Sequence, residues 1–181
     1  MAKTKKKIIL GVTGSVAAIK TLELYELISK WAEVKIVATE AALHFLQTIP
    51  KFKVPVISDK QEWHQWEKKG DAVLHIELKK WADILLIAPL SANTLAKISN
   101  GQCDNLLTSI CRAWDFNKPI LVAPAMNTFM WQHPITKTQL KIIKKWGYQV
   151  KPPISKVLAC GDEGLGAMAE PTTINNAIKK L

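Results

Sequence analysis

Residues 158–171 read LACGDEGLGAMAEP, which sets one thiol, Cys160, among Gly161, Gly164 and Gly166 and the carboxylates of Asp162, Glu163 and Glu170. A structural cysteine normally packs inside an apolar run as a small hydrophobe, whereas this one falls in a segment that reads as a mobile loop. The glycines would let the segment close over a site as a lid does. Neighbouring carboxylates would raise the thiol pKa, which suits a proton donor better than a nucleophile. An incidental cysteine in a surface turn accounts for the same residues. His75, in DAVLHIELKKWAD, could give or take a proton near neutrality, although a lone histidine beside an amphipathic run is more often a packing or surface residue. Nothing local lifts His44, His64 or His133 above that. Asn127 follows an apolar run in APAMNTFMW, where its amide either caps the loop or binds a ligand.

A second set of residues suits an anion. GVTGSVAAIK reads as strand, Gly-Ser turn and helix start, and a helix N-terminus offers unpaired N–H groups to phosphate. The segment lacks the GK[ST] of a Walker loop and the third glycine of G-x-G-x-x-G, so ATP and NAD lose ground. A tight βα turn with Ser15 as a plain N-cap explains it equally well. PLSANTLAKISNG ends a second strand in Ser91, Asn93 and Thr94 just before another helix, and two such ends can converge on one monophosphate. That favours a mononucleotide such as FMN over a dinucleotide.

The elements that must position these residues follow a βαβ rhythm, in which β-branched runs alternate with amphipathic stretches. Strands are expected at Ile8 to Val12, Val34 to Ala38, Ile84 to Ala88 and Ile120 to Ala123. Helices are expected near Val16 to Lys30, Ala41 to Gln47, Ala92 to Ser99, Asn105 to Trp114 and Ile135 to Trp146, with Thr172 or Thr173 capping a last one to Lys180. Lys51 to Gly70 reads as a connecting or edge region. Ligands of such sheets bind beyond the carboxyl ends of the strands. Those ends are here Thr13-Gly14-Ser15, Thr39-Glu40, Ser91-Ala92-Asn93-Thr94 and Pro124-Ala125-Met126-Asn127.

With 181 residues and 48% hydrophobic content the chain fits one domain with a real core. Its longest apolar run, Ile84 to Leu90, is too short to span a bilayer, and no signal-peptide core opens the chain, so no membrane role is expected. Three cysteines without a CxxC pair suggest neither a zinc site nor a disulfide framework and fit a reducing cytosol. The net charge of +10 could attract nucleic acid. Pairs such as Lys79-Lys80, Lys144-Lys145 and Lys179-Lys180 read better as solvated helix faces, so no nucleic-acid partner is expected.

Taken together, GVTGSVAAIK, PLSANTLAKISNGQCDNLLT, PAMNTFMWQHP and ACGDEGLGAMAEP closely resemble the homo-oligomeric flavin-containing cysteine decarboxylase family, from about Ile8 to Pro171. The PxMNxxMW pattern at Pro124 to Trp131 is specific to it. The resemblance implies a single Rossmann-like (flavodoxin-like) α/β domain over residues 1–181, with a basic flexible terminus at 1–7 and a substrate flap near 151–171. It implies FMN, a cytoplasmic homotrimer or multiple of trimers, and removal of CO₂ from the small-molecule substrate 4′-phosphopantothenoylcysteine on the route to coenzyme A. In that chemistry the substrate thiol is oxidised to a thioaldehyde, CO₂ departs, and the resulting ene-thiol is reduced. By motif match, His75 is the active-site histidine, Asn127 binds the substrate carboxylate with Met130 nearby, and Cys160 is the proton donor of the reductive half. Flavin contacts carry over to Thr13, Gly14, Ser15, Thr39, Ser91, Ala92, Asn93, Thr94 and Ala125, and Lys20 is placed to reach a phosphate. Relatives that act on peptide cysteines stop at the ene-thiol and lack the reductive cysteine, so Cys160 points to the coenzyme A branch. The chain ends at Leu181, without the synthetase domain of bifunctional relatives, and is expected to be monofunctional. A flavin prenyltransferase of the same fold and a non-catalytic flavoprotein regulating a protein phosphatase are the competing readings.

Overall fold

The computed structural model describes residues 5–157 and 163–181; Cys160, with Gly161 and Asp162, lies outside them. The chain begins with strand β1 (Lys6–Val12), a 3₁₀ turn at Val16–Lys20, helix α1 (Thr21–Ser29), β2 (Ala32–Ala38) and α2 (Glu40–Leu46). There follow β3 (Val56–Ile57), α3 (Asp59–Gln65), α4 (Leu74–Trp81), β4 (Ile84–Leu90), α5 (Ala92–Ser99), α6 (Leu106–Arg112) and β5 (Ile120–Pro124). The last elements are α7 (Thr128–Gln132), α8 (Pro134–Lys145), β6 (Gln149–Val150), β7 (Ile154–Val157), β8 (Glu163–Ala167) and α9 (Pro171–Ile178). No helix among the described residues is long and apolar enough to cross a membrane.

Six strands form one parallel sheet in the order β3-β2-β1-β4-β5-β6. In β1, Leu10 is flanked by Ile36 on one side and Leu86 on the other. All seven residues of β4 are buried, as expected of a parallel strand whose two faces are both covered by helices. Successive side chains of the central strands feed two separate cores. Ile8, Leu10, Val12, Leu86 and Ala88 pack with Leu24 and Ile28 of α1 and Ile174 and Ile178 of α9. Ile9, Leu85 and Ile87 pack with Leu78 of α4, Leu95 of α5, Leu107 and Ile110 of α6 and Ile143 of α8. The chain leaves β1 toward β2 on one side and returns to β4 on the other, so the change in strand order opens a crevice at the carboxyl ends of β1 and β4.

Several elements depart from the sequence expectation. The segment expected to be helical over Val16 to Lys30 opens with the 3₁₀ turn before α1 begins. The weak region 51–70 contains the edge strand β3 and also α3, where the Gln61 side chain reaches back to the Ser58 N–H at 2.9 Å. The last helix starts at Pro171 with Glu170 as N-cap, not at Thr172 or Thr173. Proline's fixed φ and missing N–H suit the first helical position, so it sets the boundary. Finally, β7 and β8 form an antiparallel hairpin where a loop was expected.

Candidate active site

One hydroxyl joins the two strand ends that border the crevice. Thr13 is fully buried; its Oγ1 donates to the Pro89 carbonyl at 2.8 Å and accepts the Ser91 N–H at 2.7 Å, tying the ends of β1 and β4 together. Thr13 was expected among the flavin contacts; within the protein its hydroxyl clamps the two strand ends that carry the others. Thr13→Val keeps the shape and strips both bonds, so it should cost about 2–4 kcal/mol of stability by leaving buried main-chain groups unpaired. A thermal melt should show a Tm lower by roughly 5–15 °C; a variant melting with the parent would make the clamp dispensable.

Around this clamp three helix starts converge. Ser15 caps the 3₁₀ turn, with its Oγ 3.4 Å from the Ala17 N–H. Thr39 precedes α2. Ser91 caps α5, taking the Thr94 N–H at 3.2 Å. Gly14, Thr39, Ser91, Asn93 and Thr94 line one cavity of about 370 Å³, together with Glu40 and Lys97. Gly14 is required there by close packing: a Cβ would sit 2.6 Å from the Ala41 Cβ. Thr39 Oγ1 is buried with no hydrogen-bond partner among the described residues, an orphaned hydroxyl in a lining that carries the hydroxyls of Ser91 and Thr94, the Lys97 ammonium and the carboxylates of Glu40, Asp59 and Asp104. Such a cradle fits a phosphate and the polar chain of a mononucleotide. Ala92 is the first residue of α5.

A second cavity of about 350 Å³ adjoins the same turn and is lined by Ser15, Lys20, Ala125, Asn127, Lys156 and Gly166 among others. Asn127 caps α7, its Oδ1 accepting the Phe129 N–H at 2.8 Å, which fixes the side chain's orientation. Met130 follows on α7, about half exposed, with its carbonyl accepting the Thr136 hydroxyl at 2.6 Å. The hairpin forms the rim. Gly164 and Gly166, expected to give this segment freedom, also meet a steric demand. A Cβ at Gly166 would lie 2.2 Å from the Met126 carbonyl oxygen, and one at Gly164 would lie 2.4 Å from Thr128 Oγ1. The Met126 N–H donates to the Gly166 carbonyl at 3.0 Å. The glycines therefore let β8 press its backbone against the Asn127 turn.

Lys20 does reach an anion, and it is Glu170: Nζ to Oε2 is 2.8 Å, while Lys156 of β7 approaches Oε1 at 3.4 Å. Lys20 first, and Lys156 with it, hold the Glu170 carboxyl below the usual glutamate range. Because the folded pKa is depressed, the tie exists above the ordinary glutamate pKa and is lost as pH falls through the folded value. The groups are solvated, so solvent and salt weaken the effect.

His75 lies on the first turn of α4, in a third cavity of about 430 Å³ with Glu62, Trp63, Trp66, Cys103, Asp104 and Asn105. Asp104 and Asn105 also border the Gly14–Thr94 cavity, so the two adjoin. A hydrogen bond from Lys97, at 2.6 Å, is the main cause that holds the Asp104 carboxyl below the usual aspartate range. Within one chain His75 and Asn127 line separate cavities and are not brought together. Sequence reading missed Glu62, whose Oε1 lies 2.5 Å from His75 Nδ1, because the two residues are on different helices. Cys111 is no rival for the thiol chemistry: burial pushes it up to about 12, so it stays protonated.

The Flavoprotein family model matches residues 1–181. A phosphopantothenoylcysteine decarboxylase of Oryza sativa subsp. japonica is 56% identical over 177 residues, which cover 97% of this chain and 80% of that protein. A PPC decarboxylase cysteine-to-serine mutant, solved in complex with pantothenoylaminoethenethiol, superposes with a TM-score of 0.93 at 52% identity, over 97% of each chain. The FMN-binding protein AtHal3 superposes with a TM-score of 0.89 at 52% identity, over 97% of this chain and 96% of its own.

Proposed function

The chain belongs to the Flavoprotein family, among its phosphopantothenoylcysteine decarboxylases, and from that premise we propose that it binds FMN and removes CO₂ from the cysteine carboxyl of 4′-phosphopantothenoylcysteine. The product is 4′-phosphopantetheine, and the activity is that of a carboxy-lyase in coenzyme A synthesis. The observation that carries this is the close superposition on a decarboxylase that holds an ene-thiol. The cradle with its orphaned Thr39 hydroxyl supports the cofactor independently. When bound, FMN supplies the hydride acceptor and donor that an alkyl cysteine, lacking an electron sink of its own, needs in order to lose CO₂.

The chain's own residues then divide the work. Gly14, Ser15, Thr39, Ser91, Ala92, Asn93, Thr94 and Ala125 hold the cofactor, in a cradle whose two central strand ends Thr13 keeps in place. Asn127 receives the substrate carboxylate through its amide N–H donors, beside Met130. His75 takes the thiol proton as the substrate is oxidised, and Cys160 returns a proton to carbon in the final reduction. The β7–β8 hairpin borders the substrate cavity and keeps water from it. The working form is a homotrimer or a multiple of trimers in the cytoplasm. Two features support assembly: His75 and Asn127 line separate cavities within one chain, and Trp63, 77% exposed, flanks His75 with Trp66.

The test is direct. The purified protein should be yellow, retain FMN, and release CO₂ from 4′-phosphopantothenoylcysteine. A colourless preparation that neither takes up FMN nor consumes the substrate would overturn the assignment. Asn127→Asp should raise KM by about tenfold or more, because a charge-assisted bond worth about 1.5–3 kcal/mol is replaced by like-charge repulsion. Flavin absorbance should be retained. An unchanged KM in steady-state assays would remove Asn127 from the carboxylate site.

A further inference from the structure

We propose that Glu62 is the positioning residue for His75, fixing which imidazole nitrogen takes the substrate proton; this rests on the role given to His75 above. Glu62 lies on α3, thirteen residues before His75 on α4, and its Oε1 is 2.5 Å from Nδ1. Both side chains are largely buried, Glu62 at 17% exposure and His75 at 27%. Both face the same cavity, which adjoins the flavin cradle through Asp104 and Asn105.

A carboxylate only accepts hydrogen bonds. In the neutral imidazole it therefore selects the tautomer with the proton on Nδ1, leaving the Nε2 lone pair to act as base. Among the described residues no side chain or main-chain group bonds Nε2. When Nε2 takes the thiol proton, the imidazolium keeps its Nδ1–H on Glu62 and its charge is neutralised there. Carboxylate and imidazole have the same relation in a hydrolase triad, where the acid orients the base and does not itself take up the proton. The other charged or polar groups around this cavity, Cys103, Asp104, Asn105 and Ser109, belong to the segment from the end of α5 into α6. Asp104 is engaged with Lys97 at 2.6 Å, which leaves Glu62 as the carboxylate on the imidazole.

α3 has the composition such a role needs and little else to hold it. From Asp59 to His64 none of its residues is buried, so this stretch is not built to fill the core. It is fastened instead by polar contacts: Gln61 to the Ser58 N–H, Asp59 Oδ1 accepting the Leu106 N–H at 2.8 Å, and Glu62 to His75. The Asp59 contact ties α3 to the start of α6, beside Asn105, and the Glu62 contact ties it to α4.

The experiment uses the flavin-loaded oligomer with Glu62→Gln and Glu62→Asp. Nitrogen-15 NMR of the imidazole at alkaline pH should report the Nδ1–H tautomer in the parent and a mixture in Glu62→Gln. kcat for CO₂ release should fall by about 10²-fold in Glu62→Gln, the scale of a misdirected general base, with KM within about threefold. Glu62→Asp, which restores a carboxylate, should recover part of kcat. Glutamine keeps the volume, and flavin absorbance together with Tm reports whether the fold is intact. An unchanged tautomer in Glu62→Gln would overturn the proposal, as would a loss confined to Tm or flavin content with kcat per bound flavin intact and the tautomer unmoved. A shifted tautomer with unchanged kcat would instead remove His75 from the chemistry while leaving the contact standing, so the two failures are distinguishable.

Discussion

Replacing Cys160 by serine should leave CO₂ release within about threefold of the parent while the saturated thiol product falls by roughly 10²- to 10⁴-fold, the usual worth of a positioned acid. The product recovered should be the ene-thiol, identified by mass spectrometry as two hydrogens short of 4′-phosphopantetheine. The separation follows from when the proton is needed. Carbon dioxide leaves once the sulfur-bearing carbon has been oxidised, and a proton to carbon is required only when the double bond is reduced. A serine hydroxyl is a far weaker acid than a thiol and cannot replace it. The relative solved as a cysteine-to-serine mutant with an ene-thiol bound is consistent with such a block. Normal yield of saturated product from Cys160→Ser would take the proton donor's role away from this residue.

Gly166→Ala should be nearly as damaging, by a steric route. The added methyl would sit 2.2 Å from the Met126 carbonyl oxygen, and a backbone atom at the start of the Asn127 turn cannot swing aside as a flexible side chain could. Strand β8 must retreat, which breaks the Met126 N–H to Gly166 carbonyl bond of 3.0 Å. Overpacking and the lost bond together cost about 2–5 kcal/mol. If the hairpin comes away as a unit, the Tm falls by no more than the hairpin's own docking energy allows, while turnover collapses because the substrate cavity loses its rim. CO₂ release below about one-tenth of the parent, with FMN still bound, is the expected outcome. Parental turnover and an unshifted Tm would show that β8 does not need this close approach.

Much of the fold could be read from the chain because its central strands are buried on both faces and so appear as unbroken apolar runs. β4 runs seven residues without an exposed position. α5 was expected over Ala92 to Ser99, and its bounds are those of the structure. α3 escaped because none of its residues from Asp59 to His64 is buried and the stretch carries no apolar period, although Ser58 and Gln61 at capping-box spacing were a usable signal. The hairpin escaped for a related reason: ISKV is largely exposed and EGLGA is broken by two glycines, so neither strand carries a core-facing alternation. Of the site, the four strand-end segments were legible as small and hydroxylated. What they do for one another was not. The Thr13 clamp spans 76 residues to Pro89, and the Glu62–His75 contact joins two helices whose packing no local pattern announces. The glycines at 164 and 166 were visible, but flexibility and close approach call for the same residue, and the close approach shows only in the neighbouring Thr128 side chain and Met126 carbonyl.

The division of the central strands between two cores bears on how damage to this protein should combine. Ile9 and Leu10 are joined by a peptide bond yet have no buried neighbour in common, one packed beside Leu107 and Ile110, the other beside Leu24 and Ile28. Truncations at these two positions should therefore sum almost independently, while Leu10 and Ile28, eighteen residues apart, should compensate or aggravate each other. In this chain, epistasis follows the face of the sheet and ignores nearness along the backbone.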